Sequence, residues 1–243
     1  TPIICARFSK FHPNVEMIAN YPQIKTNEIQ IAERIENHIC YIGGLYESRG
    51  LREVILAIEH CDVVLHLAGT FDTEQFEMEL KQLKGWNKVI FYGQVNQEKI
   101  TKLLDKCTIG IVTLHPTPSY LEAYPIKMFE YMNSGLAILA SDFPLYRSLL
   151  EEIDCSTFVD PLNPDDISKI DAIDNFIGSE TYNRISSGKF HEEWFKQLEK
   201  DNYIDKKTKK KIPEETLKLL EVQKNMMIKQ LIQFPDLYFA KSH

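Results

Sequence analysis

The sequence lacks long apolar runs and is poor in cysteine. No uninterrupted apolar stretch reaches about 18 residues, the length that crosses a bilayer as a helix, so we expect no transmembrane span. Residues 1–10 contain no long apolar core, and we expect no signal peptide there. The five cysteines are scattered, odd in number and free of C-x-x-C spacing, a pattern typical of free thiols in a reducing compartment. We therefore expect a cytoplasmic protein.

Many signature motifs of catalysis are also absent from the sequence. It contains no G-x-G-x-x-G, no Walker loop, no H-E-x-x-H and no G-x-S-x-G. No D-x-D pair falls in a predicted loop, so no metal site and no cofactor are predicted. The net charge of −7 argues against nucleic acid as a partner.

Short apolar runs alternate with amphipathic stretches from residue 37 to about residue 200. The runs cover residues 39–42, 63–68, 89–92, 109–114, 136–140 and 157–159. Two of the intervening stretches place apolar residues on one helix face: Leu51, Val54, Ile55 and Ile58, and then Ile100, Leu103, Leu104 and Cys107. This alternation predicts an α/β fold with one doubly wound, parallel, Rossmann-like sheet that helices cover on both faces. Ligands of such sheets bind outside the carboxyl ends of the strands.

Residues 122–144 read E-A-Y-P-I-K-M-F-E-Y-M-N-S-G-L-A-I-L-A-S-D-F-P and hold the most informative pattern. Glu122 and Glu130 flank the start of a predicted helix, Gly135 ends it, and an apolar strand follows. The N-terminus of a helix favours anions, because its free N–H groups and its dipole both attract negative charge. Carboxylates beside such an anion site suit a ligand that carries hydroxyls and phosphates, as a nucleotide-sugar does.

This segment resembles the retaining glycosyltransferases of family four, whose GT-B fold has an E-x7-E signature in its C-terminal donor-binding domain. Glu28 and Glu36 have the same spacing, so the surrounding order of loop, helix, glycine and strand is what carries the resemblance. The resemblance covers roughly residues 15–200 and is strongest at residues 39–52 and 122–144. It implies a GT-B half-fold and a nucleoside-diphosphate sugar as donor, with a UDP-sugar expected first.

The resemblance assigns roles to both glutamates. Glu130 matches the residue that accepts hydrogen bonds from the ribose hydroxyls, which a carboxylate does well. Glu122 matches the catalytic residue that contacts the transferred sugar near its anomeric carbon and supports an oxocarbenium-like transition state. The donor-binding residues between them are expected to be Ala123, Tyr124, Pro125, Ile126 and Lys127. Relatives often have glycine at the position of Pro125, which removes one backbone N–H from this loop.

Residues 41–50, Y-I-G-G-L-Y-E-S-R-G, form the second matching segment. Gly43 and Gly44 allow a close approach of the ligand to the backbone. The family often has arginine where this chain has Gly44 and lysine where it has Arg49; both bind the diphosphate. Arg49 is therefore predicted to grip two phosphate oxygens and to act in catalysis, and Lys127 to compensate for Gly44.

Two strand ends complete the predicted site. Residues 92–95, Y-G-Q-V, match the place where relatives hold the nucleobase against the backbone, which makes Gly93 and Val95 donor-binding candidates. A tight turn without function explains the same residues. His115 also follows a strand, and a structural role is the preferred interpretation for it.

The chain ends differ from the repeat. Residues 1–36 are interpreted as the exit of a missing N-terminal domain and a linker, residues 37–200 as the donor-binding domain, and residues 201–243 as a basic loop and a helix. The lysines at 206, 207, 209, 210 and 211 are typical of a solvated loop; peripheral contact with an anionic membrane at its inner face is the second interpretation.

The resemblance thus implies the donor-binding half of a glycosyltransferase that acts in bacterial surface polysaccharide synthesis on a glycan or lipid-linked acceptor. Two alternatives stay open: a GT-B UDP-sugar epimerase and a non-catalytic nucleotide-binding domain. Gly44 and Pro125 are the departures that support the second alternative. The sequence does not name the sugar, the base or the acceptor.

Overall fold

The computed structural model describes residues 2–15, 34–150 and 156–170. The chain divides into two units, Thr1–Trp194 and Phe195–His243, and every described residue lies in the first. The predictions made for residues 16–33, for the end of the donor-binding domain at 171–200 and for the basic loop and helix at 201–243 lie outside the described residues. Among those described, no helix combines the length and the apolar character that a membrane crossing needs.

Strands and helices alternate along the described residues. The strands are β1 (His38–Ile42), β2 (Val64–Ala68), β3 (Val89–Gly93), β4 (Ile109–Val112), β5 (Ala137–Ser141) and β6 (Ser156–Val159). The helices are α1 (Pro2–Phe8), α2 (Leu51–Ile58), α3 (Glu74–Gln82), α4 (Gln97–Lys106), α5 (Pro118–Leu121), α6 (Ile126–Asn133), α7 (Pro144–Leu150) and α8 (Pro164–Ile167). Each strand coincides with a predicted apolar run to within two residues at either end.

The six strands form one parallel sheet in the order β3-β2-β1-β4-β5-β6. This is the strand order of a doubly wound Rossmann fold, so the predicted α/β class is confirmed. The order reverses between β1 and β4, which are neighbours in space although two strands separate them in the chain. Crevices at such a switch point are where these sheets bind ligands.

Alternate residues of each strand face opposite sides of the sheet. On one side, Ile39, Leu65 and Ile111 join the apolar face of α2 in a core of fully buried residues. On the other side, Gly110 of β4 packs against the ring of Tyr131 in α6. Helices therefore cover both faces, and most strand residues are apolar and buried; the edge strand β3 is less covered, and its Ile90 is exposed.

Helix starts follow from local sequence. The side chains of Thr73 and Asn96 accept hydrogen bonds from backbone N–H groups in the first turns of α3 and α4. Asn163 caps α8 in the same way: its side chain accepts a hydrogen bond from the N–H of Asp165, and Pro164 lies in the first turn. These caps satisfy donors that a helix leaves free at its N-terminus.

Candidate nucleotide-sugar site

The turn after β1 is hydrogen-bonded to the residues that follow β4, at the point where the strand order reverses. His115 donates its backbone N–H to the carbonyl of Ser48 (3.0 Å), and Thr113 Oγ1 lies 3.4 Å from the carbonyl of Arg49. Gly50 has φ +70°, and a Cβ there would lie 2.1 Å from the Thr113 carbonyl oxygen. Only glycine fits at this position. The contacts hold the predicted phosphate-binding turn against the β4 end.

Three adjacent strands end in glycines at the carboxyl edge of the sheet. Gly43 follows β1, Gly69 follows β2, and Gly93 closes β3. The N–H of Gly43 donates to Ala68 (2.9 Å), and the N–H of Gly69 donates to Gly93 (2.8 Å). A Cβ on Gly69 would lie 1.7 Å from the Gly43 carbonyl oxygen, whereas one on Gly93 would meet nothing within 4 Å. The edge therefore presents bare backbone there, as expected for Gly43 and Gly93; Gly69 was not among the predicted residues.

Helix α6 carries the two charged residues that were predicted to bind the donor, Lys127 and Glu130. Pro125 occupies the N-cap position of this helix, and no side chain caps it. Lys127 Nζ lies 2.6 Å from Glu130 Oε2, one turn further on, and both side chains are about one-third exposed. The two charges that were predicted for phosphate and ribose thus pair with each other.

The structure brings α6 to the end of β1. A Cβ on Gly43 would lie 3.7 Å from Lys127 Cε and 3.5 Å from the hydroxyl of Tyr41. That hydroxyl donates to the carbonyl of Gly44 (2.9 Å) and fixes the turn. Burial raises the pKa of Tyr41, while the positive charge of Arg49 acts in the opposite sense. Two sequence segments predicted to bind the same ligand are therefore neighbours.

The body of α6 is anchored at both its middle and its end. The buried hydroxyl of Tyr131 accepts the N–H of Ile42 at the end of β1 (3.0 Å). Arg34 donates to the carbonyls of Ser134 and Gly135 (2.5 Å each), just past the C-terminus of the helix. Gly135 has φ +70°, the left-handed conformation that commonly ends helices, as predicted. These contacts set the position of Glu130 in the site.

Glu122 ends α5 and forms an ion pair with Arg7 of α1. The Glu122 side chain is 28% exposed to solvent, so it lies at the surface of the candidate site. Of the loop residues that follow, Ala123, Tyr124 and Pro125 are half-buried and Ile126 is exposed. Tyr124 meets Phe129 edge to face at 6.1 Å, which packs the loop onto α6.

Arg49 lies between aromatic rings. Its guanidinium carbon is 4.9 Å from the centre of the Tyr120 ring and 5.9 Å from that of Tyr46. Tyr46 also lies over Gly44, where a Cβ would come within 2.3 Å of the ring. An arginine at position 44, as relatives have, would require Tyr46 to move. Tyr120 was not among the predicted residues, because nothing in a P-S-Y-L segment signals a contact with residue 49.

The remaining predicted residues divide into two groups. Val95 is half-buried just after the open edge at Gly93, so both stand where a base was expected. His115 Nε2 lies 3.2 Å from Glu53 Oε2 of α2, and both side chains are largely buried. This pairing agrees with the structural role preferred for His115. Among the described residues, no group of three or more His, Cys, Asp or Glu is arranged to hold a metal.

A second polar group crosses β1, β2 and β3 on the sheet face opposite α2. His38 Nδ1 lies 2.7 Å from His66 Nε2, and His66 Nδ1 lies 2.8 Å from the Tyr92 hydroxyl. Burial, with a smaller repulsion from His38, lowers the pKa of His66 to about 4. Burial also lowers the pKa of His38 and raises that of Tyr92. No local pattern signals these contacts, because the bonded residues are 26 to 28 positions apart in the chain.

A family model described as "Glycosyl transferases group 1" matches residues 25–189 of the chain. This span contains every predicted site residue. No curated protein is similar enough in sequence to count as a match.

Solved structures share the fold. The catalytic domain of cholesterol-α-glucosyltransferase from Helicobacter pylori is 22% identical with a TM-score of 0.50; the alignment covers 63% of this chain and 97% of that domain. The C-terminal domain of the group 1 protein LpcC from Francisella tularensis is 18% identical with a TM-score of 0.51, over 70% of this chain and 92% of that domain. HepE from Anabaena, solved with UDP, is 18% identical with a TM-score of 0.54, over 76% of this chain and 46% of its own length.

Proposed function

The chain belongs to the glycosyl transferases group 1 family, since the family model matches more than half of its residues, and we propose that it binds the nucleotide-sugar donor of a retaining, family four glycosyltransferase. The observation that carries the proposal is the convergence of Arg49, Lys127, Glu122 and Glu130 on one edge of the sheet. The turn after β1 and the start of α6 meet there at the switch point, with Lys127 beside Gly43.

The chemistry of this edge suits a nucleoside diphosphate linked to a sugar. Arg49 and Lys127 supply positive charge for the diphosphate, and the uncapped N-terminus of α6 adds backbone N–H groups. Glu130 accepts hydrogen bonds from the ribose once the diphosphate draws Lys127 away from it. The bare backbone at Gly93 leaves room for the base.

The proposed reaction replaces the diphosphate by an acceptor hydroxyl at the anomeric carbon of the sugar. The bond from that carbon to the diphosphate oxygen breaks, the acceptor oxygen bonds to the same carbon with retention, and the hydroxyl proton passes to the released diphosphate. Glu122 supports the positive charge that develops on the sugar, and the cations stabilise the negative charge of the leaving group. We propose a hexose as the sugar, with no metal or cofactor required.

The biological setting is also a proposal. By family resemblance, the acceptor is a glycan or a lipid-linked glycan in bacterial surface polysaccharide synthesis. Cys40, Cys61 and Cys107 are buried apolar-core residues, which fits a cytoplasmic enzyme, and a lipid-linked acceptor would bring it to the inner face of the membrane. We further propose that an N-terminal domain outside this sequence completes the acceptor site.

The first test is a calorimetric panel of UDP, GDP, dTDP and CMP with the 243-residue chain, in EDTA. UDP is the expected ligand, because HepE was solved with UDP. Binding of one nucleoside diphosphate in EDTA supports the proposal, and the absence of binding to all four refutes it. Release of sugar from the bound UDP-sugar to added acceptors, with the anomer read by NMR, then tests transfer and retention.

A non-catalytic nucleotide-binding domain is the second candidate. One observation favours it: Tyr46 fills the space at Gly44 that an arginine would occupy, so the diphosphate has one cation fewer than in relatives. Tight UDP binding without turnover, in a protein that carries the complete N-terminal domain, would select this candidate.

A further inference from the structure

The support of Arg49 is unusual for a cation in a binding site. Its Nε is buried without a hydrogen-bond partner, and among the described residues no carboxylate pairs with its guanidinium. The nearest group over it is the Tyr120 ring, 4.9 Å from the guanidinium carbon. By contrast, Lys127 in the same site is paired with Glu130. An aromatic face therefore replaces the usual acidic partner of Arg49.

The Tyr120 ring is itself held from several directions. Its hydroxyl lies 3.3 Å from Ser48 Oγ, in the residue before Arg49. Its backbone carbonyl accepts a hydrogen bond from Tyr146, a fully buried residue of α7 (3.3 Å). Its backbone N–H donates to Thr117, which caps α5. Tyr120 thus joins α5, which leads directly to Glu122, to the turn after β1.

A ring and a carboxylate hold a guanidinium in different ways. A carboxylate neutralises the cation, and an incoming phosphate must compete with it. A ring attracts the cation through its quadrupole and leaves the edge of the guanidinium free to donate to two phosphate oxygens. Stacking also restricts the rotamers of a long side chain before the ligand arrives, so less entropy is lost on binding.

We propose that Tyr120 is a positioning residue for the donor diphosphate, which it serves by holding the guanidinium of Arg49 at the switch point. The inference rests on the proposed function, since it takes a nucleoside diphosphate as the ligand. Tyr120 contributes through its ring face, while its hydroxyl serves only to orient that face against Ser48.

The test compares the affinities of UDP and uridine for the wild-type chain, Tyr120→Leu and Tyr120→Phe. Tyr120→Leu is expected to weaken UDP about tenfold and leave uridine unchanged, because only UDP carries the phosphates that Arg49 holds. Tyr120→Phe keeps the ring and is expected to stay within about threefold of the wild type for UDP. Phe158→Leu is the matched control: its ring lies 4.6 Å from Arg147, and its loss should leave UDP binding unchanged.

A double-mutant cycle separates positioning from general packing. In an Arg49→Gln background, Tyr120→Leu is expected to cause no further loss of UDP affinity. Arg49→Lys, which leaves Tyr120 in place, is also expected to weaken UDP binding. An ammonium lacks the planar guanidinium that stacks on the ring and donates two hydrogen bonds to phosphate oxygens.

The outcomes distinguish the inference from the function on which it rests. If the wild-type chain binds UDP and Tyr120→Leu binds it equally well, the inference alone is overturned. The same holds if Tyr120→Leu keeps its melting temperature but loses uridine binding as strongly as UDP binding. If Tyr120→Leu fails to fold, tight UDP binding by Arg49→Lys would overturn it. A wild-type chain that binds no nucleoside diphosphate would refute the proposed function itself, and the inference with it.

Discussion

The two halves of the sheet present different surfaces at the same edge. On the β1–β2–β3 side, each strand ends in a glycine, and the edge consists of backbone linked by N–H to carbonyl bonds. On the β4–β5–β6 side, the chain between β4 and β5 supplies charged side chains: Glu122, Lys127 and Glu130. The first half thus offers backbone groups and one cation, Arg49, and the second offers Lys127 and both glutamates. A ligand with a flat base and an anionic centre needs both.

The halves also differ in how they treat polar side chains. Lys127 and Glu130 are partly exposed and paired with each other, so each can exchange its partner for a ligand at little cost. His38, His66 and Tyr92 are joined in a chain under the sheet face, and burial keeps His66 neutral. The exposed pair is therefore available to the proposed ligand, whereas the bonded group in the interior contributes to the fold.

The largest expected effect comes from a substitution at the β1–β2–β3 side of the sheet. Gly69→Ala should lower the free energy of unfolding by about 3 kcal/mol, because the new Cβ would overlap the Gly43 carbonyl oxygen. Gly93→Ala is the control: its Cβ meets nothing within 4 Å, and its positive φ alone should cost about 1 kcal/mol. Urea unfolding measures both. Equal losses would contradict the close packing of the β1 and β2 ends.

The second effect concerns acid stability of the same half. The folded pKa of His66 lies at about 4, below its ordinary value of 6.5, so the unfolded state binds more protons between these values. Stability contributed by neutral His66 is complete above pH 6.5 and declines as the pH falls towards 4, by up to about 3 kcal/mol. His38, whose pKa is also lowered, adds in the same direction.

The measurement is the free energy of unfolding from pH 7.5 to 4.5 for the wild type, His66→Gln and His60→Gln. Glutamine does not titrate, so His66→Gln should flatten the pH dependence while it lowers stability at neutral pH. His60 is exposed, with 84% of its side chain accessible, and its variant should follow the wild-type curve. A wild-type slope retained by His66→Gln would mean that other groups cause the acid loss.

The third prediction concerns a charged residue on the β4–β5–β6 side, whose substitution should change binding and leave the fold intact. Glu130→Gln should weaken UDP about ten- to hundredfold, since a hydrogen bond to a charged group contributes about 1.5–3 kcal/mol. Unfolding should change by less than about 1 kcal/mol, because the pair with Lys127 is partly exposed. Glu98→Gln removes a comparable helix pair with Lys102 and is the binding control. If Glu130→Gln binds UDP as tightly as the wild type, Glu130 does not bind the ribose hydroxyls.

The smallest effect sharpens the comparison at the rim of the site. Arg7→Gln breaks the ion pair with Glu122, in which the Arg7 side chain is 56% exposed. It should change the free energy of unfolding by less than about 1 kcal/mol, and salt should reduce the difference further. Thermal unfolding at low and high ionic strength tests this. A loss above 2 kcal/mol would show that α1 is an integral part of the fold.

The predictable part of this protein is the part that local physics encodes. Apolar runs of strand length between amphipathic stretches gave the parallel sheet, and the caps at Asn163 and Gly135 gave helix ends. Glu122, Lys127 and Glu130 were predicted as donor ligands from a family resemblance and from their place at a loop and a helix start, and that role stays a prediction. Spacing along one helix places such groups whatever the rest of the chain does.

The tertiary structure alone decided which distant residues meet. Tyr120 lies over Arg49 and next to Ser48, more than 70 positions earlier in the chain, because the strand order sets β4 beside β1. Gly69 must be glycine because the Gly43 carbonyl oxygen occupies the space of its Cβ. His38 and His66 are neighbours because parallel pairing places them on the same face of the sheet. Residue types and local periodicity fix elements and charges; contacts, exclusions and shifted pKa values arise only where packing brings separate segments together.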